Sequence, residues 1–530
     1  MTEPGGSQMS TTTRRQSLER AQTTVLKPKQ KLQLSWRSLS YEVKLRKKST
    51  KQILSGVSGH ASPGEVLAIM GSSGAGKTTL LNVLSGRANR GATRGEVTVN
   101  GHAVRDRDAF RRVVAFVTQD DLMLETQTPR EVLQFSAALR LPNSLSAAAR
   151  ASVVEAIILV LHLEKAADTV VGTPDKGGIS GGERKRTNIG AELVTNPSLL
   201  FVDEPTSGLD AFTAAQVMAT LKELAATGKT VASTIHQPAS EIFETFDNLM
   251  LLHQGTVAYF GKADASLDHF GALGVRCPPH HNPADFLVNT LMRQLHGDAD
   301  LPDFAAAWAA ASLPAPPKVA GCDAPANLKL EGGAPSWRAL LELVKRNVRN
   351  YKRNRLGMRA RFGQTLFFAL LIGIIYFGLG DDYAGIQDRQ GLLFVAILNQ
   401  MLGGLMNVVM LFPLERRIFE REHAAGFYQV WLLLPLLLPP SPPHLHHPHL
   451  LHLPPLYKVW PYFLSRVLFE TPLNCFFPLL YSAIIYFLAG LQVTGSRPTS
   501  HPAIPISDPT SSPGCSRRRS ASSPSTRWSR

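Results

Sequence analysis

Gly71–Thr79 reads GSSGAGKTT, directly after the apolar run EVLAIM (Glu65–Met70) and overlapping the helical pattern TLLNVLSG (Thr79–Gly86). A strand, a glycine-rich turn of G-x-x-x-x-G-K-T spacing and a helix, in that order, form a phosphate cradle. The glycines let the backbone N–H groups of Gly71, Ser72, Ser73, Gly74, Ala75 and Gly76 wrap an anion where a helix begins. Lys77 is expected to reach the β- and γ-phosphates of ATP, and the Thr78 hydroxyl to ligate Mg2+ beside Thr79.

Working outward, residues 33 to about 262 alternate short β-rich runs with glycine-rich turns and helical patterns, which predicts a parallel α/β sheet. SLLFVDEP places Asp203 and Glu204 at the end of one such run. An acid there holds Mg2+, and a second acid beside it polarises the attacking water. ISGGERKR supplies a second glycine-rich anion loop, with Ser180, Gly181, Gly182 and Glu183 opening a basic helix. His236 ends the run TVASTIH, where a neutral imidazole reaches a γ-phosphate or a water, and Gln119 sits in AFVTQDD.

Beyond residue 340 the character changes. Hydrophobic residues make up 44% of the 530-residue chain and charged residues only 18%, and the apolar ones concentrate in long uncharged runs. Spans are predicted near 362–379, 391–414 and 472–491, each long enough to cross a bilayer. The basic stretch from Lys345 to Arg361 precedes the first and marks the cytosolic side. The net charge of +15 therefore fits membrane flanks; a nucleic-acid-binding ATPase would explain the charge but not the spans, so no nucleic-acid partner is expected. Four widely spaced cysteines without a CxxC pair suggest neither a zinc site nor a disulfide framework. The N-terminus lacks the apolar core of a cleavable signal and reads as a cytosolic tail.

The order GSSGAGKTT, TQDD, GGISGGERKR, LLFVDEPTSGLD, TIHQP resembles an ABC-transporter ATPase domain. The forms GGISGGERKRTNIGAEL and STIHQPASEIFETFDNLMLL, and NPADF at Asn282–Phe286, are similar to the G subfamily, the White/pigment-permease and sterol-exporter group. The resemblance covers roughly 33–428 and 458–492. It implies an α/β P-loop ATPase domain of ABC type followed by an all-α transmembrane domain, with three of an expected six spans present. It implies that Gly71–Thr79 bind ATP and that Thr78, Gln119 and Asp203 hold Mg2+. Glu204 becomes the catalytic base, His236 the switch histidine, and Gln119 a sensor that also contacts the membrane domain. Ser180–Glu183 become the signature that closes over a partner's ATP, and Ser207, Gly208, Leu209 and Asp210 the D-loop. One P-loop chain is then half a machine, requiring a homodimer or a heterodimer with another half-transporter. Such a machine is a multi-pass membrane protein among membrane lipid, exporting a lipid, sterol or other amphipathic compound whose identity these residues do not give.

The implied domains are a cytosolic tail (1–32), the ATPase (33–290), a linker (291–340) and a partial membrane domain (341–492). Two stretches fit poorly. WLLLPLLLPPSPPHLHHPHLLHLPPL, inside 429–457, is too dense in proline for an unbroken helix, and 493–530 is rich in Ser and Pro and carries no span. Both begin at Gln-Val, Gln429 and Gln492, as read-through of a splice donor would give, so an intron-derived or splice-variant origin is expected. The histidines of the first stretch make a poor metal site by comparison. A chain truncated in this way leaves a second reading open: a non-transporting, membrane-anchored ATPase that acts as a regulatory or dominant-negative dimer partner.

Overall fold

The structure is a computed structural model. It describes residues 26–44, 49–88, 91–104, 110–111, 113–173, 177–296, 301–310, 334–379, 383–424 and 460–491. The 429–457 stretch, the 493–530 tail and residues 1–25 lie outside the described residues.

The ATPase part begins with two long strands, β1 (Leu34–Lys44) and β2 (Thr50–Ala61), and the short strand β3 (Val66–Gly71), which feeds the phosphate turn and helix α1 (Lys77–Leu84). Strands β4 (Ala92–Val99) and β5 (His102–Ala103) join β1 and β2 in an antiparallel sheet of order β2-β1-β4-β5. After β6 (Val114–Val117) come helices α2 (Pro129–Arg140) and α3 (Ala147–Val160), the two-residue strands β7 (Gly172–Thr173) and β8 (Gly177–Gly178), and helix α4 (Gly181–Leu193). Strand β9 (Leu199–Asp203), helix α5 (Ala211–Ala226), strand β10 (Thr230–Thr234), helix α6 (Ser240–Phe243) and the hairpin β11 (Asn248–His253)–β12 (Thr256–Lys262) complete the main sheet.

That sheet has the order β12-β11-β3-β10-β9-β6, parallel except at the β12 edge. Strands β3, β6, β9, β10 and β11 are buried at every residue. Continuous Val/Leu/Ile runs suit a parallel sheet covered on both faces. One apolar cluster lies between the sheet and α2–α5, another between the sheet and β1–β2. Because β3, β10 and β9 are adjacent, their carboxyl ends bring the phosphate turn, Thr234 and Asp203 together, which is where ligands sit in open α/β sheets.

Helices α7 (Ser266–Ala272), α8 (Pro283–Leu295) and α9 (Phe304–Ala310) follow. Helix α9 falls within the expected 291–340 linker, and its Phe304 is fully buried with its ring 4.9 Å from that of Phe270.

The remaining helices are α10 (Ser336–Arg353), α11 (Arg355–Ile375), α12 (Tyr383–Ala424) and α13 (Trp460–Leu488). Among the described residues two helices are long and apolar enough to cross a membrane: Arg355–Ile375 and Pro461–Leu488. The run 391–414, expected as a span of its own, is part of the 42-residue helix α12, which continues without a break through the charged segment Glu415–Glu422. Ala369, Ile372, Leu392, Tyr481 and Ile485 seal α11, α12 and α13 together. At Gly373 a Cβ would lie 2.5 Å from a Leu488 methyl, so the missing side chain sets the close approach of α11 to α13. Elsewhere these helices expose Phe367, Ile374, Phe394, Ile397, Leu479 and Phe487, an apolar surface far larger than a water-facing fold leaves uncovered.

Candidate nucleotide site and its link to the membrane helices

The phosphate turn leaves β3 at Gly71, whose φ of 149° and close approach to the Leu252 carbonyl (2.2 Å from an added Cβ) exclude any side chain. Gly76 caps α1 with φ 101°, and an added Cβ would lie 2.9 Å from a Leu54 methyl. The backbone is thus free to present N–H groups at the start of α1. Lys77 is 6% exposed and donates to the carbonyls of Gly71 (2.9 Å) and Ser72 (3.1 Å), so it arches back over the turn. Burial pushes its pKa down, against the pull of Glu204 and Asp203.

Asp203 ends β9 and is 4% exposed. Its Oδ1 accepts from the Thr78 hydroxyl (3.0 Å) and the Thr234 hydroxyl (2.6 Å). Thr78 and Asp203 therefore converge as an oxygen donor pair of the kind that suits Mg2+. Thr234 Oγ1 in turn accepts from the Glu204 N–H at 2.9 Å. Glu204 has φ 46° and Gln237, next to His236, has φ 44°. Left-handed backbone costs a non-glycine residue about 1–2 kcal/mol. The Gln119 amide donates to Glu204 Oε2 at 2.6 Å. His236 is exposed just beyond β10.

The second glycine-rich loop forms a separate cluster. Ser180 caps α4 by accepting from the Glu183 N–H (3.3 Å), and the Glu183 carboxylate accepts from the Ser180 N–H (2.8 Å) and hydroxyl (2.9 Å). Such a capping box secures the helix start by about 1 kcal/mol. Asp210 caps α5 by accepting from the Thr213 N–H at 3.0 Å. An added Cβ at Gly182 would meet a Thr213 methyl at 2.1 Å, and one at Gly181 would meet Leu209 at 2.9 Å. Ser180–Glu183 and Ser207–Asp210 thus pack on each other; among the described residues no hydrogen bond joins Ser180–Glu183 to Gly71–Thr79.

Models of known families match most of the chain. An ABC transporter model matches residues 54–207, and ABC-2 type transporter models match 236–301 and 338–434 with 451–504. The Broad substrate specificity ATP-binding cassette transporter ABCG2 of Rattus norvegicus is 33% identical over 499 residues, covering 87% of this chain and 71% of its own. The chain belongs to the ABC transporter G family. ABC transporter G family member 7 of Arabidopsis thaliana is 35% identical over 485 residues, and Protein white of Drosophila melanogaster is 35% identical over 465. The chain spans 62% of the length of each of these two relatives. A solved dimeric ATP-binding cassette, MJ0796 bound to ADP and Pi, aligns over 43% of this chain and 98% of its own at 25% identity and a TM-score of 0.38. As a G-family member with an ABC-2 membrane domain, the chain is a membrane protein with a cytosolic ATPase domain.

In this G-family chain the ATPase and membrane parts meet through contacts that the sequence does not advertise. Pro129 opens α2 behind the Thr128 cap, and Glu131 closes a capping box there. The same Glu131 carboxylate takes a two-pronged bond from Arg353 of α10 (2.7 and 2.9 Å), whose guanidinium also donates to the Thr126 carbonyl at 2.7 Å. The polar TQTPRE step thereby positions the acid that grips α10. Arg346 of α10 lies 4.2 Å from the ring centroid of Phe135 and pairs with Glu422 at the end of α12, both charged side chains about 95% covered. Leu139, Ala339, Leu343 and Tyr462 complete a small apolar core across the junction. The basic stretch from Lys345 to Arg361, which precedes the first span, supplies both Arg346 and Arg353 to this junction.

Proposed function

We propose that this chain is half of an ATP-driven exporter of a lipid, sterol or other amphipathic compound, working as a homodimer or as a heterodimer with another half-transporter. The observation that carries this reading is a complete ATPase cluster physically continuous with membrane helices: Lys77, Asp203, Glu204 and Gln119 on one side, α10–α13 on the other. A cavity of about 460 Å3 between α11, α12 and α13, lined by Gln364, Asn399, Gln400, Asn474 and Phe477 among others, offers both polar and apolar contacts to an amphipath.

In this reading the N–H groups of Gly71–Thr79 and the Lys77 ammonium hold the ATP phosphates. The Thr78 hydroxyl and Asp203 are the groups that would hold Mg2+, which neutralises charge on the phosphates when bound. Glu204 takes the proton of the attacking water while Gln119 and His236 orient it. Ser180–Glu183 and Asp210 lie on a face of the same chain where they meet the ATP of a partner, so nucleotide makes contacts in the closed dimer that it lacks in the open one. Hydrolysis removes those contacts, and the junction at Glu131, Arg353, Arg346 and Glu422 passes the change to the helices.

Inside-out vesicles carrying the chain, alone and with a full-length G-family partner, test this directly. ATP-dependent uptake of a fluorescent sterol or phospholipid analogue that vanishes in Lys77→Ala supports it. ATP hydrolysis with no uptake in either arrangement overturns the transport assignment.

A further inference from the structure

Gln119 is the residue expected to join the ATPase to the membrane domain, yet its amide is engaged with Glu204. The path onward leaves from its backbone. Lys185 Nζ donates to the Gln119 carbonyl at 2.7 Å and pairs with Asp121 Oδ1 at 3.0 Å. Asn188, one turn further along α4, donates to that same Asp121 oxygen at 2.8 Å. The side-chain amide oxygen Oδ1 of Asn188 then accepts from the guanidinium of Arg421, near the end of α12, at 3.1 Å.

We propose that Lys185, Asp121, Asn188 and Arg421 form a positioning relay that reports the nucleotide state of Glu204 and Gln119 to α12 through the signature helix α4. This rests on the proposed ATP-driven function and assigns its coupling route. Three features favour a relay over incidental packing. Lys185 and Asn188 are each 2% exposed, so their bonds are made in low dielectric where each is worth more than at the surface. A single carboxylate oxygen, Asp121 Oδ1, serves both the Gln119 side and the α12 side, so a shift of one donor is felt by the other. The relay also runs through the helix whose first residues, Ser180–Glu183, face the partner's nucleotide in the proposed dimer. A rotation of α4 on closure therefore moves Asn188 against Arg421 with no separate lever. Coupling of this kind needs an element with two arrangements that both sites bias, and α4 is in contact with both.

The test uses the whole chain in lipid nanodiscs. Steady-state ATP hydrolysis gives kcat and KM, and hydrogen–deuterium exchange of amides 415–424 is followed with and without ATP. In the wild type, ATP changes exchange at 415–424. Asn188→Leu removes the link to Arg421 and leaves Lys185 on Gln119 and Asp121. Arg421→Met cuts the same link from the other side and keeps Asn188 on Asp121, whereas Arg421→Lys keeps a donor. The relay predicts that Asn188→Leu and Arg421→Met keep the wild-type KM and lose the ATP-dependent change by roughly fivefold or more, the low end of typical coupling. Arg421→Lys retains it. A wild-type exchange response in either cut variant overturns the relay. So does a parallel fall of kcat and rise of KM in both, which marks a merely structural role. A wild-type chain that hydrolyses no ATP refutes the proposed function instead, so the two failures are distinct.

Discussion

Replacing Glu422 by Gln is the sharpest probe of the junction between the ATPase and the membrane helices. The Glu422 and Arg346 side chains are 4% and 5% exposed, and Arg346 lies against the Phe135 ring of α2. Arg421 and Arg466 add like charge nearby. Glutamine keeps the shape and an acceptor oxygen but removes the Glu422 charge that faces the guanidinium. Removing one partner of a buried pair costs about 3–5 kcal/mol. At 1.36 kcal/mol per factor of ten, local opening becomes roughly 150- to 5,000-fold more populated. Hydrogen–deuterium exchange of α2 and α10 amides reads that opening, while strand β9 amides serve as an internal reference. The double variant Arg346→Met with Glu422→Leu removes both charges and should recover more than half of the loss, because a well-packed apolar pair can replace a buried ion pair. Exchange in α2 and α10 changed by less than about threefold in Glu422→Gln would refute the claim that this pair closes the junction, since that is well below the buried-pair range.

Other consequences are as specific. Thr234→Val is nearly isosteric but removes the hydroxyl shared by Asp203 and the Glu204 N–H. Leaving the Glu204 N–H without its acceptor and Asp203 with the Thr78 hydroxyl alone costs about 1–3 kcal/mol, so kcat should fall by roughly fivefold to 150-fold in steady-state hydrolysis. Gly182→Ala forces a Cβ to within 2.1 Å of a Thr213 methyl; hydrolysis should fall and the thermal midpoint drop, with Thr213→Ala restoring part of both. Burial pushes the Lys229 pKa down to about 7. The unfolded chain then binds more protons than the folded one between about pH 7 and pH 10, so stability rises with pH across that window by up to about 1.4 kcal/mol per unit. The Lys229→Met variant should show a flatter rise in its unfolding midpoint from pH 7 to pH 9.

The catalytic half of this picture was readable because its chemistry is local. A phosphate turn needs glycines at Gly71 and Gly76 and a lysine at Lys77 in fixed spacing, so the chain order alone reveals it. Asp203 and Glu204 were legible for a similar reason, as acids that end a fully apolar strand. Thr234 was not singled out, because a threonine in a β-rich run is ordinary; only the pairing of β10 with β9 places its hydroxyl between Asp203 and Glu204. Lys185, Asp121, Asn188 and Arg421 come together from sites up to 300 residues apart in the chain, and nothing in their local patterns marks them as partners. The spans were legible from uncharged length, but their ends were not. Helix α12 runs on through Glu415–Glu422 because its charges are taken up at the junction, by Arg346, Arg466 and Tyr462, so the fall in hydropathy marks no break in the helix.

The most direct test of the central claim is ATP hydrolysis and ATP binding measured side by side on the purified chain and on Glu204→Gln. The wild type is expected to hydrolyse ATP, and Glu204→Gln to bind it with unchanged Kd and turn it over at a background rate. Wild-type turnover in Glu204→Gln would contradict the assignment of this site as the engine of the molecule.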